Sequence, residues 1–348
     1  MITYSGFFWN AVLNHGSKTN MTTRSMTPNT PSTAALIGGG VLLLLSGAFW
    51  YLSQPDIPRA ILEARYAGPP SQFVILPNGT RTHVRDRGPR DALALLLIHG
   101  SNASLYTWEP WAKRLSDKFR VITVDLPGHG LTGAAPNRDY TQEGMAEFID
   151  EVADILGLHR FAIGGNSMGG RASVLFTIMH RERVTHLVLV DSGGLPTKQV
   201  EPTSLAYRLM SIPIANRLLL HITPRSLIVD GLNSAIVHKD IITDEMIDRY
   251  WDFIRMDGTR EATITRGRIR DKRIRDDIPN IKTPTLILWG EEDRTIPVEA
   301  AYAFHAAIAG SKLVVYPNTG HVPQEEVADE SAADVRAFLS GAEITPGR

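Results

Sequence analysis

Cysteine is absent from the 348 residues. That excludes a thiol nucleophile, thiolate metal sites and disulfides, and it selects no compartment. A surplus of charge is also missing. Lys plus Arg number 36 against 37 Asp plus Glu, a net charge of −1 at pH 7. Bulk attraction to nucleic acid is therefore not expected. The chain has no internal repeat, and no motif implies a metal or an organic cofactor.

Long uncharged runs are scarce, and the one that stands out lies near the N-terminus. Residues 1–33 are rich in Thr, Ser, Asn and Pro and read as a disordered segment. Residues 34–52 carry no charge. As a helix they would span roughly 28 Å, close to a bilayer core. Trp50 and Tyr51 suit the membrane–water boundary. No small-x-small cleavage site precedes Gln54-Pro55-Asp56, so an uncleaved single-pass anchor is expected rather than a signal peptide. Lys18 and Arg24 before the run nearly balance Arg59 and Arg65 after it. The free amino terminus tips the orientation towards a C-terminal domain outside the cytoplasm. Residues 53–69 read as a linker.

From residue 70 the pattern changes. Gln72–Leu76 and Thr82–Arg85 flank the turn Pro77-Asn78-Gly79-Thr80 and read as two strands. Leu93–Ile98, Val121–Val124, Phe161–Gly164, Leu187–Val190, Leu286–Leu288 and Leu313–Val315 are apolar without alternation, as strands buried on both faces must be. Met145, Phe148, Ile149, Val152, Ile155 and Leu156 recur at helical spacing. Strands alternating with helices imply a mostly parallel, doubly wound sheet.

The most informative motif is Gly165-Asn166-Ser167-Met168-Gly169, placed between a strand-like and a helix-like run. A G-x-S-x-G in that setting is a nucleophile elbow. Small residues around the serine allow a sharp turn, and the first amides of the next helix face whatever the serine attacks. Such an elbow needs an acid and then a histidine later in the chain. Glu291, Glu292 and Asp293 follow one apolar strand, and Gly320-His321 follows another. Both stand just past the carboxyl ends of strands, where open α/β sheets place their chemistry.

Together with Leu97-Ile98-His99-Gly100 and Val124-Asp125-Leu126-Pro127-Gly128-His129-Gly130, these landmarks resemble the α/β-hydrolase fold, from about Pro70 to the C-terminus. The resemblance implies an eight-stranded, mostly parallel sheet flanked by helices, its core made of 70–194 and 278–348, with residues 195–277 inserted as a helical cap. It implies Ser167 as nucleophile, His321 as general base and Asp293, four residues before Pro297, as the orienting acid. It also implies an oxyanion hole made by the backbone N–H groups of Met168 and Ser101, with Asn102 as alternative second donor. His99, His129 and Asp125 are expected to shape turns. Substrate would be chosen between the cap and residues 101–108, with Asn102, Leu105, Trp108 and Trp251 as candidate lining residues. Leu209, Met210, Ile214, Leu218 and Ile254 are further candidates. The Arg-rich run Arg266–Arg275 reads as a solvated helix face.

The chemistry expected is hydrolysis of a carboxylic ester through an acyl-serine, with a lipophilic small-molecule ester as partner. An alternative is cleavage of a carbon–carbon bond in a ring-cleavage product, since Asn166-Ser167-Met168-Gly169-Gly170 is similar to the elbow of that subfamily. Those enzymes usually carry an aromatic residue just after the histidine, where this chain has Val322. A non-catalytic binding scaffold is a third reading, disfavoured because all three candidate catalytic residues are present.

Overall fold

The computed structural model describes residues 33–195, 220–269 and 274–343. The chain divides into two units, Met1–Trp50 and Tyr51–Arg348. Helix α1 (Thr33–Leu52) accounts for the described part of the first. Its large side chains are exposed, Leu43 and Leu44 at 76% each. Among the described residues, however, no helix is long and apolar enough to cross a membrane. The spanning anchor expected from the sequence is therefore not supported; Gly38, Gly39, Gly40, Ser46 and Gly47 dilute the apolar run. The disorder expected of residues 1–33 concerns a stretch outside the described residues, Thr33 apart.

The second unit is built on one eight-stranded sheet in the order β1-β2-β4-β3-β5-β6-β7-β8. The strands are β1 (Ser71–Ile75), β2 (Arg81–Arg87), β3 (Ala94–Ile98), β4 (Arg120–Val124), β5 (Phe161–Asn166), β6 (Val184–Val190), β7 (Thr285–Gly290) and β8 (Lys312–Tyr316). β1 and β2 pair antiparallel, and β2 lies antiparallel to β4. All other pairs are parallel.

The period-2 pleat explains why the parallel strands are apolar throughout. Leu96 and Ile98 of β3 face one core, with Ile122, Val124 and Ile163. Helices α4 (Gln142–Ile155) and α5 (Met168–Met179) cover that face through Met145, Ile149, Val152 and Phe176. Leu95 and Leu97 face the other way, with Val121, Val188 and Leu288. Helices α3 (Glu109–Leu115) and α11 (Ala328–Leu339) cover this second face through Trp111, Leu115, Val335 and Phe338. Helix α4 begins where Thr141 Oγ1 accepts the Gly144 N–H at 3.0 Å, an N-cap that satisfies one orphan amide.

The stretch expected as a linker is partly folded. It holds α2 (Arg59–Tyr66), whose Leu62 is fully buried. Arg59 donates to the carbonyls of Leu131 and Thr132, and Arg65 pairs with Asp252. Eight residues give too short a periodic signal to separate a docked helix from a polar linker.

Between β6 and β7, the described residues form α6 (Arg225–Ala235), α7 (Asp244–Ile254) and α8 (Thr259–Arg268). Leu232, Ile236, Met246 and Ile247 make a small core there, which also includes Val322 from the β8 side. After β7 come α9 (Glu299–Ala307) and, past β8, the short α10 (Pro323–Glu326).

Candidate active site

Three loops meet at the carboxyl ends of β5, β7 and β8. Ser167 occupies the turn from β5 into α5 with φ 55° and ψ −117°. A non-glycine residue held at positive φ costs about 1–3 kcal/mol, and such strain collects at functional positions. Backbone bonds fix the turn. The Ser167 N–H donates to Val190 O at 3.1 Å, and the Gly193 and Arg171 N–H groups donate to Ser167 O at 2.9 and 3.1 Å. Gly169 is required by close approach, because a Cβ there would collide with the carbonyls of Ile98 and His99. This packing sets the His99-Gly100 turn directly beside Ser167.

The structure brings His321 and Asp293 together. Nδ1 of His321 faces Asp293 Oδ2 at 2.6 Å, and both residues are buried. Oδ1 of Asp293 accepts the N–H groups of Thr295 and Ile296 at 2.7 and 3.0 Å, which orients the carboxylate. Glu291 and Glu292, the rival acids, are exposed. The Asn166 side-chain amide donates to Val190 O at 3.2 Å and to His321 O at 3.0 Å, joining the serine turn to the histidine loop. That loop is tied in turn to the segment between β6 and β7. The His321 N–H donates to Ala235 O at 2.8 Å. Glu326 accepts from the N–H groups of Gly320, Val237 and His238 at 2.9, 2.7 and 3.0 Å.

Met168 opens α5, so its N–H lies at a helix N-terminus. Ser101 and Asn102 are exposed, and Asn102 has φ 59°. The Arg266 guanidinium donates to Ser101 Oγ at 3.2 Å and to Asn102 Oδ1 at 3.3 Å. This corrects the reading of Arg266–Arg275 as only a solvated face; residues 270–273 lie outside the described residues. Behind this loop, Asp125 accepts the N–H groups of Leu105 and Leu131 at 2.7 and 2.8 Å, and faces His83 Nδ1 at 2.7 Å. Burial by itself would raise the Asp125 carboxyl; His83, His99 and the Leu105 amide together outweigh it and hold the group below the usual range. His99 Nε2 accepts the Leu126 N–H at 3.0 Å, and burial lowers its pKa. These residues shape turns, in line with their expected part.

The candidate lining residues divide. Leu105 is fully buried, and Trp108 packs against Trp111 in the core, 5.1 Å between ring centroids. Trp108 is therefore a packing residue, which its aromatic character alone did not reveal. Trp251 is half-buried, donates to Thr223 O at 2.7 Å and stacks beneath Arg255. Ile254 is half-buried. Leu209, Met210, Ile214 and Leu218 lie outside the described residues.

Two acids were not singled out by sequence. Asp191 stands at the end of β6, fully buried, with Oδ1 accepting the Gly290 N–H at 3.0 Å. Burial and the neighbouring Asp293 raise its pKa well above the usual carboxylate range. Its position after the apolar Leu187–Val190, like Asp125 after β4, was the available signal. Glu325 accepts from the Thr107 hydroxyl at 2.5 Å and is pushed up to about 7 by burial. Asp191, Asp293 and His321 each bring a metal-capable atom within 4.8 Å of the others, and no other such group occurs among the described residues. A cation fits this set poorly. His321 Nδ1 and Asp293 Oδ2 face each other, and Asp293 Oδ1 is bound to two amides.

Comparisons with known proteins agree with this architecture. A family model described as alpha/beta hydrolase fold matches residues 94–328. A 2-hydroxy-6-oxononadienedioate/2-hydroxy-6-oxononatrienedioate hydrolase of Klebsiella pneumoniae is 28% identical over 78% of this chain and 96% of its own length. Among solved structures, a bacterial membrane phospholipase A is similar at a TM-score of 0.66 and 25% identity, covering 89% of this chain and 99% of its own. A thermophilic esterase of Thermogutta terrifontis is similar at 0.65 and 25% identity, covering 78% and 98%.

Proposed function

The chain belongs to the α/β-hydrolase fold family, and from that premise we propose that it is a serine hydrolase of lipophilic carboxylic esters. The observation that carries the reading is the pairing of His321 with Asp293 at 2.6 Å beside a serine turn bonded to the same histidine loop through Asn166. In this proposal Ser167 attacks the ester carbonyl while His321 takes its proton and later returns it to the leaving alcohol. Asp293 holds the imidazole tautomer and stabilises the imidazolium. The N–H groups of Met168 and of Ser101 or Asn102 receive the oxyanion, each worth about 3 kcal/mol in comparable acyl-transfer sites. Water then cleaves the acyl-serine by the same proton route in reverse.

The segment 195–277 would act as a cap over this site. Preference for a lipophilic ester is supported by the exposed leucines of α1, which suit association with a lipid bilayer, and by similarity to a membrane phospholipase A. Carbon–carbon bond hydrolysis is the second reading, favoured by the Klebsiella pneumoniae relative. Against it stands Val322, which packs into the small core of α6 and α7 where that subfamily usually has an aromatic side chain.

The test is turnover of p-nitrophenyl esters from acetate to palmitate by the full chain, beside Ser167→Ala and a 2-hydroxy-6-oxo dienoate. Ester turnover lost in the variant supports the proposal. Turnover of the dienoate alone overturns it in favour of the second reading. Partitioning into liposomes, compared with a chain lacking residues 1–52, tests the lipid association.

A further inference from the structure

The reading of Ser167, His321 and Asp293 as a triad leaves one buried acid without a task. Asp191 leaves β6 at φ 43°, a left-handed conformation costly for an aspartate, and its side chain is wholly enclosed. The Asp191 N–H donates to Leu288 O at 3.0 Å, and its Oδ1 takes the Gly290 N–H. Oδ2 is buried without a hydrogen-bond partner among the described residues. An ionised carboxylate oxygen in that state would pay a heavy desolvation cost. Asp293 is the neighbouring acid: an oxygen of each carboxyl group and a His321 nitrogen lie within 4.8 Å of one another.

Two enclosed carboxyl groups at that separation share one proton, because both cannot ionise. The surroundings reinforce this. Glu326 from α10 adds further negative potential, and Tyr316 from β8 is a neutral phenol raised by its own burial and by Asp334. His321 is the nearby group able to carry positive charge, and its Nδ1 already faces Asp293. Asp293 has lone pairs left after binding His321 and the two amides.

We infer that Asp191 is a second carboxyl group of the triad, a positioning residue that donates its proton from Oδ2 to Asp293 and serves as the orienting carboxylate when Asp293 is removed. The inference rests on the triad reading above. In the intact protein Asp191 holds the Asp293 carboxylate in place. With Asp293 truncated, the like charge that adds to burial in keeping Asp191 protonated is gone, and Asp191 ionises against the nearby His321 imidazole.

The test compares Asp293→Ala, Asp191→Asn and the double variant in the full chain. Loss of the only orienting acid of a triad costs about 10⁴ in kcat. The expected result is a fall of about 10² in Asp293→Ala and about 10⁴ in the double variant, with KM of the ester held within twofold. Equal losses in Asp293→Ala and the double variant would overturn the inference. A second measurement needs no variant to fold. Infrared spectra of the wild type with ¹³C-carboxyl aspartate should show a protonated carboxyl at pH 7, and its absence would also sink the idea. If Asp191→Asn folds, that band disappears and the downfield His321 Nδ1–H resonance moves, which a purely structural role would not produce. Fluorophosphonate labelling of Ser167 separates the two levels. No labelling would defeat the triad reading while the infrared band still decides whether the proton is shared.

Discussion

The side-chain amide of Asn166 donates to the carbonyl of His321 at 3.0 Å and to Val190 O at 3.2 Å. The residue just before the elbow serine thus holds the backbone of the residue read as its base. Val190 O keeps the Ser167 N–H, but removing the amide takes the side-chain donor from His321 O, at about 1–3 kcal/mol. Asn166→Ala should fold with a lowered melting temperature and lose about tenfold or more in kcat as the histidine loop drifts. A variant with unchanged kcat would show that the bond is only structural.

Replacing His321 by Ala should lower kcat by about 10⁴ or more with KM little changed, because the proton acceptor is lost while binding surfaces stay. Steady-state kinetics on a short-chain ester would check this. Activity within tenfold of the wild type would refute the role given to His321.

Gly169→Val places a branched side chain against the carbonyls of Ile98 and His99. Backbone cannot yield there without moving β3 or the serine turn. Loss of soluble expression, or a fold retained with no fluorophosphonate labelling of Ser167, is the expected outcome. Normal labelling at normal stability would contradict the packing described.

Glu326 accepts three backbone N–H groups, one from the histidine loop and two from the chain after α6. Glu326→Ala should therefore lower stability by about 2 kcal/mol or more, since charged acceptors bond strongly and the three donors are left open. Thermal melts of both proteins at the same pH would measure it. Glu326→Gln, which keeps one acceptor oxygen, should recover part of the loss.

Glu325 gives stability a pH dependence. Burial pushes its pKa up to about 7 from an ordinary 4.5, against the opposing Thr107 hydroxyl and Arg249. The folded state therefore holds the proton more tightly than the unfolded chain. The stabilisation is complete below about 4.5 and is lost as pH rises through about 7. It amounts to at most about 3 kcal/mol. Glu325→Gln should flatten the stability profile between those values and be relatively more stable than the wild type at pH 8. Parallel denaturant titrations at pH 5 and pH 8 that give the same difference for both proteins would exclude this account.

Much of the fold was legible because parallel strands advertise themselves. Leu93–Ile98 and Leu286–Leu288 are apolar at every position, which only burial on both faces explains. The elbow was legible because its glycines are forced by contact, as Gly169 shows. Other features left little trace. Helix α2 is too short and too polar to signal its docking, which rests on Arg59, Leu62 and Arg65 meeting residues far along the chain. Trp108 looked like a substrate contact because an aromatic in a loop is ambiguous until its neighbours are known. Asp191 was passed over because its meaning depends on Asp293, about a hundred residues later, which no local pattern encodes. The apolar run of α1 was read by its lack of charge, whereas its glycines weaken it as a spanning segment.

The bond from the His321 N–H to Ala235 O has a mechanical implication. The last turn of α6 and the imidazole-bearing loop form one handle, locked a second time by Glu326 through Val237 and His238. Any swing of α6 away from the sheet would drag the histidine off its carboxylate partner. Arg266 fastens the other loop beside the elbow, Ser101 and Asn102, through two longer side-chain contacts, so motion of the inserted segment reaches that loop less directly.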